Sequence, residues 1–245
     1  MTYRLVVKLE QIKGRQIALN NQQLHYLLRV LRLGDGDRFI ALDGRGNTWL
    51  SEIREQSALI IESINIDTEL PVSLTLITAL PKGNGYEQII RCGTELGVSN
   101  FMPVISDRTI LKPSPSKVQR WRKIVSEAAE QSERQIVPHL VTPTQFIPTI
   151  EQNTSNQNKD KYICVARGDI PRLWSCLQRQ TSSQPPSEIL PEIVIATGCE
   201  GGWTDREVET AIALGFKPVS LGKRILRAVT APIVASSIVT AVLEP

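Results

Sequence analysis

Apolar residues in the first third of the chain come in short runs that alternate with polar ones, the period of half-buried strands. Arg4 to Lys8, Gln16 to Leu19, Arg38 to Leu42, Thr48 to Arg54 and Ala58 to Asn65 read as extended. Asn20 or Asn21 caps one short helix, Leu24 to Leu31, before a turn at Gly34 to Asp37. Asp43-Gly44-Arg45-Gly46-Asn47 joins two strands as a hairpin loop. Evenly spaced short strands with one small helix predict a small β-barrel over residues 1–69.

Past Asp67 to Pro71 the pattern changes to strand alternating with helix. Val72 to Leu80 reads as a strand, Tyr86 to Leu96 as a helix and Phe101 to Ile105 as a strand. A long helix over Ser116 to Ser132 places Val118, Trp121, Ile124, Val125 and Ala128 on one side. Tyr162 to Ala166 is a strand and Ile170 to Leu177 a helix. The polar stretches Glu151 to Lys161 and Gln178 to Glu188 read as surface loops. Ile193 to Ala196 then enters a turn with Gly198, Gly201 and Gly202, and Thr204 or Asp205 caps a helix through Ala213. Lys217 to Leu221 is a short strand ending at Gly222, and Ala228 to Leu243 a buried packing helix. This alternation predicts an α/β domain over 70–245 with a mostly parallel, helix-covered sheet. Glycine turns at two strand ends are where such a sheet places a ligand.

Charge changes the picture more than composition does. The formal charge of the 245 residues is only +3, but it is unevenly spread. Residues 1–32 hold six Lys/Arg against one acid, 108–123 hold six with none, and 210–243 hold four with none. Such clustering suggests an anion-binding face, with nucleic acid as the leading candidate and scattered solvated charge as the alternative. Cys92, Cys164, Cys176 and Cys199 form no C-x-x-C pair, and with His25 and His139 they assemble no zinc spacing. Reduced thiols and no secretory leader are expected of a cytoplasmic protein. Neither a P-loop nor a complete G-x-G-x-x-G is present, which removes the main signatures of NTPases and dinucleotide enzymes. Gly201-Gly202 instead allows backbone groups to approach a ligand closely. Arg224 and Arg227 share a face if their segment is helical.

Six stretches in order carry a family resemblance: His25 to Leu33, Ala79-Leu80-Pro81-Lys82-Gly83, Thr94 to Val98, Glu127 to Arg134, Gly198-Cys199-Glu200-Gly201-Gly202 and Leu221 to Arg227. Over its whole length the chain resembles the RsmE family of SPOUT-class RNA methyltransferases, which methylate N3 of a uridine in 16S (small-subunit) ribosomal RNA. The resemblance implies a PUA-like barrel followed by a SPOUT domain with a deep trefoil knot, S-adenosyl-L-methionine as donor, no metal, and a homodimer. It places the donor against Leu80, Thr197, Gly198, Glu200, Gly201, Leu221, Gly222, Ile225 and Leu226. Arg227 and Arg224 are implied at the target phosphate or at charge developing on uracil, with Glu95, Gln131 and Arg134 as further polar candidates. Arg134 is read either as serving a partner subunit's site or as pairing with Glu130, four residues before it. Arg29, Arg32 and Lys82 are candidate RNA contacts. Three departures stand out: Cys199 where the family has Pro, Val229 where it has Glu, and Cys92 where it has Lys. A SPOUT enzyme acting on another RNA base, or a catalytically silent RNA-binding homologue, are the alternative readings.

Overall fold

The computed structural model describes residues 3–65, 68–152, 159–181 and 192–244. Asp67, most of the stretch Glu151 to Lys161 and most of Gln178 to Glu188 lie outside them. The chain divides into two compact units, 1–69 with 126–137, and 70–125 with 138–245. Residues 126–137 group with the N-terminal ones, so the first unit is discontinuous in sequence.

The first unit is a six-stranded sheet. Its strands are β1 (Arg4–Val6), β2 (Ile12–Lys13), β3 (Gln16–Ala18), β4 (Arg38–Leu42), β5 (Thr48–Arg54) and β6 (Ser57–Ile64), in the order β1-β4-β5-β6-β3-β2. Only β1–β4 is a parallel pair; the rest are antiparallel. Alternation along these strands sends Leu5, Ile17, Phe39, Ala41, Ile53, Ala58 and Ile60 into one core. Asn20 caps helix α1 (Asn21–His25) reciprocally: its side chain accepts from Gln23 N–H at 2.9 Å, and the Gln23 side chain accepts from Asn20 N–H at 2.9 Å. The helix passes into a wider π-type turn over Tyr26–Val30, so the expected single helix is two pieces. Exposed Arg29 and Arg32 lie on and just beyond that turn.

Glu130 anchors 126–137 within this unit, accepting Val6 N–H at 2.7 Å. Burial pushes its carboxyl up to about 7; the Val6 amide opposes that shift and the neighbouring Glu127 adds to it. A carboxyl whose folded pKa lies above its unfolded value holds more protons when folded, so its contribution is full at low pH and is lost as pH rises through about 7. We expect Glu130→Gln to be more stable than the parent at pH 8 by about 2–3 kcal/mol, the gain shrinking as pH falls towards 4.5. Urea titrations of both proteins at pH 5 and pH 8 read that difference; a gain equal at the two pH values would refute it.

The second unit is built on a seven-stranded, all-parallel sheet. Strands β7 (Ser73–Ala79), β8 (Asn100–Ile105), β9 (His139–Leu140), β10 (Thr144–Gln145), β11 (Lys159–Cys164), β12 (Glu192–Thr197) and β13 (Lys217–Val219) follow the order β10-β8-β7-β12-β11-β13, with β9 also on β8. Its central strands β7 and β12 are buried along all but their first residue, as a sheet covered on both faces requires. Around it lie α2 (Gly85–Glu95), α3 (Pro115–Gln131), α4 (Phe146–Gln152), α5 (Leu173–Thr181), α6 (Asp205–Ala213) and α7 (Thr230–Leu243).

Several expectations need correction. Lys159 to Lys161, read as loop, begins β11, and α5 runs on through Thr181. Helix α4 was not foreseen, because Pro143 and Pro148 break up its pattern. Residues 221–229 are not helical, so Arg224 and Arg227 share no helix face. Among the described residues no helix is long and apolar enough to cross a membrane.

Candidate functional site

The sheet order itself singles out one crevice. From β7 the chain leaves through α2 to β8 on one side, and from β12 it leaves through α6 to β13 on the other. Adjacent parallel strands whose connections diverge leave a gap beyond their carboxyl ends. Here that gap lies between the turn after β7, Leu80 to Asn84, and the turn after β12, Gly198 to Thr204. Thr78 and Thr197, paired in register at the ends of these strands, bring their hydroxyls to 3.4 Å.

Glu200 joins the two turns: its Oε1 accepts Lys82 N–H at 3.0 Å. Leu80 is buried and donates its amide to Val104 O at 3.0 Å. Gly198 packs so closely that an added Cβ would stand 3.2 Å from the Gly202 Cα. The third turn, after β13, is held by Ser220, whose Oγ accepts Gly222 N–H and donates to Gly222 O, both at 3.1 Å. Gly222 has φ +133° and no protein atom within 4 Å of where a Cβ would stand, so backbone there is open to a ligand. Ile225 is 66% exposed beside it, an uncovered apolar side chain. Leu221 and Leu226 are half-buried, and Arg224 and Arg227 are exposed. The turns after β7, β12 and β13 thus offer backbone amides and carbonyls, apolar side chains and two solvated cations.

Glu95 is not part of this arrangement. It is exposed at the far end of α2, and the 11 residues of that helix carry it about 15 Å from the Gly85 end. Arg134 belongs to the N-terminal unit, where it is buried with Nη2 2.6 Å from Glu69 Oε2. Glu69, 65 residues away in sequence, is a carboxylate partner, where one of the two readings names Glu130. Gln131 is exposed at the end of α3. Val229 turns its side chain towards Gly85 and Pro81, where an added Gly85 Cβ would lie 2.6 Å from Val229 Cγ2. The acid expected at that position is thus replaced by an apolar contact at the start of α2.

Sequence reasoning missed Asp107, Arg108, Lys117 and Glu207. Arg108 Nη1 donates to Gly201 O at 2.7 Å and Trp203 O at 3.0 Å. Lys117 Nζ donates to Gly83 O at 2.9 Å and Asn84 Oδ1 at 3.1 Å. Glu207 is fully buried, caps α6 with Thr204 and accepts Asp107 N–H at 2.9 Å. The acid-free charge of 108–123 was the available signal, but it was read as pointing outward. Cys199 is buried, and its Sγ lies 3.7 Å from Ser106 Oγ. All four cysteines are free, and no His/Cys/Asp/Glu group among the described residues is arranged to hold a metal.

Known proteins resemble this chain along its whole length. The RNA methyltransferase domain family matches residues 68–240, and the RNA methyltransferase PUA domain family matches 19–62. A ribosomal RNA small subunit methyltransferase E of Synechocystis sp. is 49% identical over 247 residues, spanning 100% of this chain and 79% of that protein. The Bacillus subtilis protein of that name is 32% identical, over 91% of this chain and 89% of its own. A Neisseria gonorrhoeae ribosomal RNA small subunit methyltransferase E, solved bound to S-adenosyl methionine, superposes with a TM-score of 0.85 at 28% identity, covering 98% of each chain. The chain belongs to the ribosomal RNA small subunit methyltransferase E family.

Proposed function

We propose that this protein methylates N3 of a uridine in small-subunit (16S) ribosomal RNA, with S-adenosyl-L-methionine as donor. The observation that carries this reading is the crevice at the diverging strands β7 and β12, in a chain of this family whose turn after β13 also leaves the Gly222 backbone open. The residues fit the donor. Leu80, Thr197, Gly198, Glu200, Gly201, Leu221, Gly222, Ile225 and Leu226 would hold it, polar backbone serving the adenosine and exposed Ile225 covering its apolar surface. When bound, the donor supplies an electrophilic methyl on a sulfonium, so the protein's own part is positioning and charge.

N3 lies on the Watson–Crick edge, so the target uridine must leave its stack to be reached. Loss of the N3 proton puts negative charge on the uracil ring, and exposed Arg227 and Arg224 are the cations to meet that charge or the adjoining phosphate. Lys82, exposed on the turn after β7, is a third contact for RNA. In the N-terminal unit, exposed Arg29 and Arg32 dock structured RNA. Changing both to Glu weakens RNA binding at least tenfold, by about, in salt dependence, two phosphate contacts, and leaves donor affinity unchanged. Filter binding across a salt series checks this; equal loss of donor and RNA affinity would refute it.

The resemblance that implies the trefoil knot finds support in β12, which is inserted between β7 and β11, strands made earlier in the chain. Helix α7 carries apolar residues all round and leaves Ile233, Val234, Ile238, Val242 and Leu243 half-buried, which supports a second copy of the chain as partner. The setting is the cytoplasm, where ribosomal subunits are assembled. The deciding experiment is methyl transfer from labelled donor to unmethylated small ribosomal subunits, followed by mass spectrometry of the nucleosides. A 3-methyluridine product supports the reading. A different methylated base moves the specificity, and donor binding without transfer leaves an RNA-binding homologue.

A further inference from the structure

We infer that Arg108 is a positioning residue for the donor site, holding the turn after β12 by its carbonyl oxygens. The inference deepens the donor-site reading above and rests on it. A turn that presents amides to a ligand must aim its carbonyls elsewhere, and buried or half-buried carbonyls need donors of their own. Arg108 Nη1 donates to half-buried Trp203 O at 3.0 Å and also holds the more exposed Gly201 O at 2.7 Å. Bonds from a charged donor are about twice as strong as neutral ones. The stem of Arg108 also packs on the turn, since a Cβ added to Gly201 would stand 3.1 Å from both its Cβ and its Cδ.

Three neighbouring contacts make this a clasp rather than a single tie. Asp107 N–H donates to Glu207 Oε1 at 2.9 Å, Thr204 Oγ1 donates to Asp107 Oδ2 at 3.1 Å, and Ser106 Oγ meets Cys199 Sγ at 3.7 Å. The loop after β8 is thereby fastened along the turn from Cys199 to Glu207. The turn needs such fastening, because Gly201 and Gly202 are the most mobile of residue types and Cys199 does not fix its own φ as a proline would. Lys117 repeats the device on the opposite turn, on Gly83 O and Asn84 Oδ1. Part of the charge at 108–123 is therefore directed at the protein's own carbonyls.

The test compares Arg108→Ala, Arg108→Lys and the exposed Lys112→Ala with the parent, by calorimetric titration of S-adenosylmethionine, RNA binding and thermal melting. Arg108→Ala weakens donor binding roughly tenfold, as loss of charge-assisted bonds predicts. Its melting temperature stays within about 2 °C of the parent, because the side chain is exposed. Arg108→Lys, which keeps a charged donor, recovers part of the affinity, and Lys112→Ala binds donor like the parent. Parental donor affinity in Arg108→Ala overturns the clasp. So does weakened RNA binding shared by Arg108→Ala and Lys112→Ala with donor affinity intact, which would assign the segment to RNA phosphate. A fall in melting temperature that accounts for the lost affinity, with no rescue by lysine, overturns it as well. Failure of the parent protein itself to bind the donor is a different result, and it overturns the donor-site reading.

Discussion

Arg134→Ala lowers the free energy of unfolding by about 3–5 kcal/mol, because it strands a carboxylate that the fold has largely removed from water. The guanidinium is 3% exposed and its partner Glu69 is 20% exposed. Glu69 is also the acceptor for the amides of Gln135 and Ile136, each at 3.1 Å, so one carboxylate fixes the segment that joins the N-terminal unit from 65 residues away. Urea denaturation measures the loss, and a change below about 1 kcal/mol would refute the assignment. Removing both partners should hurt less than the sum of the single changes, since the double variant no longer strands the Glu69 carboxylate. The same series separates the structural role from a catalytic one. If Arg134 acts only on the fold, Arg134→Ala retains parental turnover per folded molecule at a temperature where it is folded.

Gly222→Val should reduce donor affinity by roughly a hundredfold, from two causes that act together. A φ of +133° is left-handed territory that a β-branched residue enters only under strain, of order 1–3 kcal/mol. The new side chain also fills the open space that no protein atom approaches within 4 Å. The pairing of Gly222 with Ser220 Oγ localises the strain to a turn at the end of β13 and keeps it out of the core. Donor titration beside thermal melting reads the two effects apart: a variant that melts early but binds normally would show that the space is not the donor's. Gly222→Ala, with the strain and little of the bulk, should fall between.

Much of this was legible in local sequence. Thr204, one of two candidate caps, announced the start of α6, Asn20, likewise one of two, announced α1, and the apolar pattern marked β7 and β12 within a residue or two. The glycine turns were legible for the same reason, since a turn's chemistry is written in adjacent residues. What could not be read was pairing between distant residues. Nothing near Arg134 names Glu69, and nothing near Arg108 names Gly201, 93 residues on. Charge runs such as 108–123 give a sign but no direction, so clasp and phosphate contact look alike until the fold is known. Helix α4 failed for a different reason: Pro148 sits in its first turn, where proline is tolerated, but in sequence it reads as a breaker. Glu95 was drawn into the site by a neighbouring motif, although helix rise alone places it at the other end of α2.

The position of β12 bears on how the protein is made. Its two edges pair with β7, more than a hundred residues earlier, and with β11. Until residues 192–197 leave the ribosome, one edge of β7 and the matching edge of β11 present unpaired peptide groups, the kind of surface that invites pairing between nascent chains. If the donor sits as proposed, its seat needs Thr197 beside Thr78 and the turn after β13, so it forms only when nearly the whole chain has been synthesised. On that reading a partly made or C-terminally shortened chain holds a complete N-terminal strand set and no donor seat.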